Sequence, residues 1–257
     1  RSQEEQGMLT AGRASLGALY GGKRTVVVKL TTVPKATLSR GYRLTAYDTR
    51  GWCFCEAAIA AISKPADQLL DLGAAAEVLA DESTTWEALR DCALGMGQPP
   101  LLPEDMKSAL ERRSFADASD RPLVSEQYAS FFSEAAANSV CLGLANQSAK
   151  GSGWSDLEVT QLCRALPAFK ACKAVSLANH LALGGAALVS LRGKLPEVPA
   201  LQRLVLPQHL QLTSEGQALI AAWSHAGKKP DNLVWRSASN SEEQPTSLMW
   251  RTVSKSE

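Results

Sequence analysis

The sequence predicts an α/β protein with parallel strands, made of a partial sheet unit at the N-terminus, a helical connector and a short β-α solenoid at the C-terminus. Three observations predict it. A β-branched run, residues 25 to 32, sits between helical patterns; a proline-punctuated stretch of helical periodicity follows; and near the C-terminus an apolar pattern returns after 29 residues.

The elements follow in order. Met8, Leu9, Leu16, Leu19 and Tyr20 recur at helical spacing through residues 2 to 20, and Gly21-Gly22 marks the end of that helix. TVVVKLTT, residues 25 to 32, reads as a buried strand closed by Pro34. In YDTRGWCFCEAAIAAISK, residues 47 to 64, Asp48 or Thr49 is placed to cap a helix that Pro65 stops, and Trp52 is placed to anchor that helix on the sheet. QLLDLG, residues 68 to 73, is a second strand, and helix between two strands implies parallel pairing. Residues 1 to 75 form this unit. Residues 76 to 139 read as a connector of three or four packed helices. Pro103-Glu104-Asp105 starts one, and Val124, Tyr128, Phe131 and Phe132 give another its apolar face.

Residues 140 to 235 carry the repeat. CKAVSLANHLAL at 172 to 183 aligns without gaps on LQRLVLPQHLQL at 201 to 212, so that Val175 falls on Leu204, Leu177 on Leu206, Asn179 on Gln208, His180 on His209 and Leu181 on Leu210. Leu166-Pro167 falls on Leu195-Pro196, and LGLAN at 142 to 146 matches VSLAN at 175 to 179. Each unit reads as a short strand, a turn at Asn146, Asn179 or Gln208, then a helix. This is the pattern of a long leucine-rich repeat, similar to the ribonuclease-inhibitor type. Val175, Leu177, Leu181, Leu204, Leu206 and Leu210 are its expected core, and Ser176 and Val205 are expected to face outward. The asparagine side chains are expected to bond backbone carbonyls where strand turns into loop. Residues 236 to 257, serine-rich and poor in apolar groups, read as a disordered tail.

Composition narrows the function. With 257 residues, a net charge of +1, 21% charged and 45% hydrophobic residues, the chain has no basic surplus for phosphate neutralisation, and no nucleic-acid partner is expected. Its apolar runs are too short to span a membrane, so a cytoplasmic protein without a membrane partner is expected. The six cysteines lack zinc-type spacing and the three histidines are scattered, so no metal site is expected.

Glu56 is the candidate catalytic residue, and the residues alone leave two roles open for it. One is a first-turn acid favoured by the helix dipole and paired with Arg50 or Arg43. The other comes from a resemblance. Trp52-Cys53-Phe54-Cys55-Glu56 resembles the Trp-Cys-x-x-Glu motif of Toll/interleukin-1 receptor (TIR) domains, and TVVVKLTTVP with YDTRGWCFCEAAIAAISK is similar to a TIR-like segment of uncharacterised protist proteins. The likeness covers about residues 1 to 75 and implies a flavodoxin-like unit, N-terminally truncated, with its first strand upstream of Arg1. It also implies that Glu56 would be the catalytic carboxylate of a NAD-cleaving enzyme, stabilising positive charge on the ribose as nicotinamide leaves. Gly51 departs from the motif, which carries a small polar residue there. The expected function is protein-protein interaction or scaffolding through a leucine-rich-repeat surface in intracellular signalling, without a cofactor. The alternative is a NAD-cleaving or nucleotide-binding TIR-like enzyme.

Overall fold

A computed structural model of the chain describes residues 3–22, 24–32, 46–79, 81, 83–95, 97–147 and 153–237. The fold is mixed α/β with parallel sheets. Helices α1 (Gln3–Ala14) and α2 (Leu16–Gly21) lead into strand β1 (Val27–Lys29), helix α3 (Gly51–Ser63) and strand β2 (Leu69–Asp71). The last two strands pair in parallel, Val28 opposite Leu70. Helix α3 starts later than its sequence suggests. Asp48 and Thr49 lie in a 3-10 turn, Tyr47–Thr49, and the cap position falls to Arg50, whose side chain makes no capping bond. Gly51 opens the helix because the Phe115 ring occupies the place where a Cβ would stand, 1.9 Å from it. Only a glycine tolerates that approach.

Strand β1 is not the buried strand expected. Val27 is buried, but Val26, Val28 and Leu30 are exposed, because a two-stranded pair gives β1 a single neighbour. Of the apolar residues expected on the first helices, Met8 and Leu19 are exposed and Tyr20 is half-buried.

Helices α4 (Ala76–Leu79), α5 (Trp86–Ala93), α6 (Pro103–Glu111) and α7 (Asp120–Asn138) follow. Pro103 opens α6 as its fixed φ favours. Val124, Tyr128 and Phe132 of α7 are buried at a spacing of four, and the Tyr128 hydroxyl donates to the Leu101 carbonyl at 2.8 Å. Phe131 lies one position round and packs on Gly17 and Gly21 of α2.

Four more strands, β3 (Cys141–Gly143), β4 (Ala174–Ser176), β5 (Arg203–Pro207) and β6 (Leu233–Arg236), form a second parallel sheet whose spatial order is the chain order. Each connection carries one helix: α8 (Asp156–Ala165), α9 (Gly185–Lys194) and α10 (Ser214–His225), with α9 packed between the other two. Leu142, Val175, Leu204 and Leu233 stand in one row across the sheet, spaced by 33, 29 and 29 residues. The two Leu-Pro pairs open equivalent 3-10 turns, Leu166–Ala168 and Leu195–Glu197, before the next strand. One apolar core runs from Cys55, Ile59 and Ile62 of α3 through α7 to the four-stranded sheet. Arg236, expected in the tail, belongs to β6; residues 238–257 lie outside the described residues. No described helix is long and apolar enough to cross a membrane.

Candidate functional site

Glu56 is the sixth residue of α3, in its second turn, and so is not the first-turn acid the sequence suggested. At that position the backbone N–H groups already bond within the helix and the dipole reaches it weakly. The Tyr20 side chain of α2 lies beside the Glu56 carboxylate and favours its charged form. Burial pushes the Glu56 carboxyl above its ordinary value, and Tyr20 only partly opposes that. A first-turn acid favoured by the helix dipole would be shifted the other way. Tyr20 in turn is pushed up to about 12, first by burial and then by the Glu56 charge. Tyr47 and Cys53 stand close enough to feel the same carboxylate, and burial raises both. Arg43, the second expected partner, lies outside the described residues.

A small cavity of about 190 Å³ opens beside this cluster, along β1 and the first residue of β2. Its wall carries Lys29, Thr31, Tyr47 and Asp48, with Ala57 and Ala60 from α3. Glu56 is not part of that wall. Lys29 pairs with Asp71 at 3.6 Å, and Thr31 donates to the same carboxylate. Among the described residues this cavity is smaller than the roughly 300 to 1,000 Å³ of ligand sites. Trp52 is half-buried against the main core, and its Nε1 donates to Asp120 Oδ2 at 2.8 Å, which ties α3 to the start of α7. The chemistry available here is a half-buried carboxylic acid beside a phenol.

In the four-stranded sheet, Val175, Leu177, Leu204, Leu206 and Leu210 are buried. Leu181 is not: it is 55% exposed, and Leu183 fills the core instead. The gapless alignment fails at this point because the two turns differ. Asn179 takes the left-handed conformation, φ 64°, whereas Gln208 starts a 3-10 turn, Gln208–Leu210, that brings Leu210 inward and leaves Leu212 outside. Asn146 is buried and its Nδ2 donates to the Asn179 carbonyl at 3.3 Å; Gln208 is exposed. Ser176 and Val205, expected to face outward, are buried, since short side chains on central strands barely rise above two flanking neighbours.

Two structural features escaped the sequence reading. The first is His180, wholly buried: its Nε2 donates to the Leu144 carbonyl at 2.6 Å and its Nδ1 accepts from the Trp154 N–H at 2.7 Å, while the two rings stack at 5.0 Å. Both nitrogens are used only by the neutral ring, and burial lowers its pKa. Its alignment on His209, which bonds the Leu183 carbonyl at 3.0 Å, was the available signal. The second is strand β6, which lies 29 residues after β5, the offset already in hand.

All six cysteines are free thiols. Burial raises Cys55 and Cys163 to about 12 and Cys172 to about 11, away from nucleophilic thiolates. Among the described residues no group of three or more histidine, cysteine or carboxylate side chains is placed to hold a metal. Comparison of the chain with models of protein families, with curated proteins and with solved structures finds no match.

Proposed function

We propose that the chain is a protein-protein interaction or scaffold protein of intracellular signalling, whose β3–β6 region is a short leucine-rich repeat of the ribonuclease-inhibitor type following a TIR-like unit. The reading rests above all on three leucines at the strand-to-helix ends of three consecutive units. Leu157, Leu181 and Leu212 are 78%, 55% and 88% exposed. Large exposed apolar side chains near the starts of successive helices support docking of a partner. The expected outward strand row is a poorer surface, because Ser176 and Val205 are buried.

The test is a triple variant, Leu157→Ser, Leu181→Ser and Leu212→Ser. Its melting temperature should match the wild type, since exposed positions contribute little to stability. A photo-crosslinker at position 212 should trap a partner that the same group at Arg192, on the exposed side of α9, does not. Equal trapping at both positions would sink the reading.

A second reading is the NAD-cleaving TIR-like enzyme, favoured by one observation: a half-buried glutamate with a raised pKa on the helix after β1. Its test is nicotinamide release from NAD by the wild type against Glu56→Ala. We expect no difference. Turnover that depends on Glu56 would favour the enzyme.

A further inference from the structure

A larger cleft, of about 610 Å³, lies between α6, the 97–101 segment and α8, and shares Phe54, Gly97 and Gln98 with the wall of the smaller cavity. Its wall is rich in donors. Arg112 and Arg113 stand at the end of α6, Gln98 lies opposite, and among the described residues neither arginine meets a carboxylate at ion-pair distance. The Arg113 guanidinium is held over the Phe54 ring at 4.1 Å, which fixes its plane. Asp105 and Arg164 pair across the cleft at 2.8 Å through Oδ1, and Glu158 is occupied by the Ser155 N–H and hydroxyl.

Polar groups here are left without partners. Gln98 Nε2, Arg113 Nε and Asp105 Oδ2 are buried and unbonded, three of the six such atoms among the described residues. Buried polar groups are nearly always bonded, so their concentration on one cleft wall needs a reason. Two are donors and one is an acceptor. Together with the two guanidinium groups, this wall favours an anion that takes several donors, attached to a body that offers a hydroxyl.

We propose that this cleft binds a small hydroxylated phosphate ester, its phosphate held by Arg112, Arg113 and Gln98 and a hydroxyl donated to Asp105. A phosphate suits the set better than a carboxylate. It presents three acceptor oxygens and up to two charges to guanidinium forks, where a carboxylate presents two oxygens and one charge. The volume is within the range of small-molecule sites, and far more than a bare phosphate ion fills.

The experiment is calorimetric titration of the full chain with ribose 5-phosphate, ribose, gluconate and inorganic phosphate at constant ionic strength. Ribose 5-phosphate should bind saturably and at least about tenfold more tightly than any of the other three, each of which lacks the phosphate or the hydroxylated body. Arg112→Gln, at an exposed position that folding does not need, should weaken it roughly tenfold, and Arg113→Gln should do the same. Gluconate binding as tightly as ribose 5-phosphate would overturn the phosphate assignment. No saturable binding of ribose 5-phosphate, or equal binding by Arg112→Gln and wild type, would overturn the site.

Discussion

The two parallel sheets use similar residues and hold them differently. In strand β1 only Val27 is covered, and Val26, Val28 and Leu30 stand exposed. In the β3–β6 sheet both faces of the central strand are buried, Val175 and Leu177 on one side and Ala174 and Ser176 on the other. Coverage by neighbouring elements decides this. Strand β1 has one flanking strand, whereas β2 is also bridged to Leu94 and buries both Leu69 and Leu70, and β4 and β5 have two flanking strands each and a helix layer besides. Apolar content alone does not decide burial, so TVVV in β1 and AVSL around β4 behave oppositely.

The largest test of that contrast is truncation of the inner row. Leu177→Ala and Leu206→Ala should each cost about 2–5 kcal/mol, because each leaves a cavity in a closely packed layer. Val28→Ala should cost under about 0.5 kcal/mol, as an exposed position does. Chemical denaturation measures all three. Leu177 and Leu206 lie on adjacent strands, so the double variant should also depart from additivity. Comparable losses at Val28 and Leu177 would break the comparison.

Next comes the His180 bridge, whose counterpart the first sheet lacks among the described residues. His180→Phe keeps a ring against Trp154 but leaves the Trp154 N–H and the Leu144 carbonyl unpaired, at a cost of about 2–4 kcal/mol. The wild type should show the same bridge in its acid response. A native pKa below the unfolded value means that the unfolded chain binds the proton first as pH falls. The stability from this group is fully present above about 6.5 and is lost as pH drops from there toward the lower native pKa. Glu158, the nearest carboxylate, softens that loss by favouring the charged ring. His180→Phe should flatten this part of the pH profile.

What was legible in the sequence tracks this same contrast. Elements defined by their own residues were readable: Gly21-Gly22 ending α2, Pro103 opening α6, Pro65 following α3, and the recurrence that pairs Val175 with Leu204. Features set by distant partners were not. Nothing local says that Phe115 lies on Gly51, that Tyr20 reaches Glu56, or that a histidine of one unit bonds a carbonyl of the preceding one. Leu181 shows the limit of pattern, because its direction depends on whether the preceding turn is left-handed at Asn179 or 3-10 at Gln208.

Lys64 gives a smaller effect in the first unit. It is buried at the end of α3, and its Nζ donates to the Gly22 carbonyl and to the Thr25 carbonyl at 2.8 Å, closing the segment between α2 and β1. Lys64→Met should cost about 1–3 kcal/mol through the Thr25 carbonyl it leaves unpaired, since the Gly22 carbonyl keeps the Thr25 N–H and hydroxyl. Hydrogen exchange should quicken in α2 and β1 before it does in β4. Uniform quickening would mean that the two sheets unfold as one unit.

The smallest effect, and the one that decides how Glu56 sits, is Glu56→Gln. A glutamine keeps the shape of the side chain beside Tyr20 and removes the charge that burial disfavours. The native pKa of Glu56 is raised, so its stabilising contribution is complete below the unfolded value of about 4.3 and is lost as pH rises through the native value. At pH 7 the ionised carboxylate thus opposes folding, and Glu56→Gln should melt at or slightly above the wild type. The gain should stay under about 1 kcal/mol, since the group is partly exposed and solvent screens it. Toward pH 4 the difference should vanish, because the wild-type side chain is then neutral as well. A first-turn acid held by the helix dipole gives the opposite sign, a loss of a few tenths to about 1 kcal/mol at pH 7 that fades on acidification. Melting curves of the two proteins at pH 4 and pH 7 separate these cases by sign alone, whatever the size of the effect.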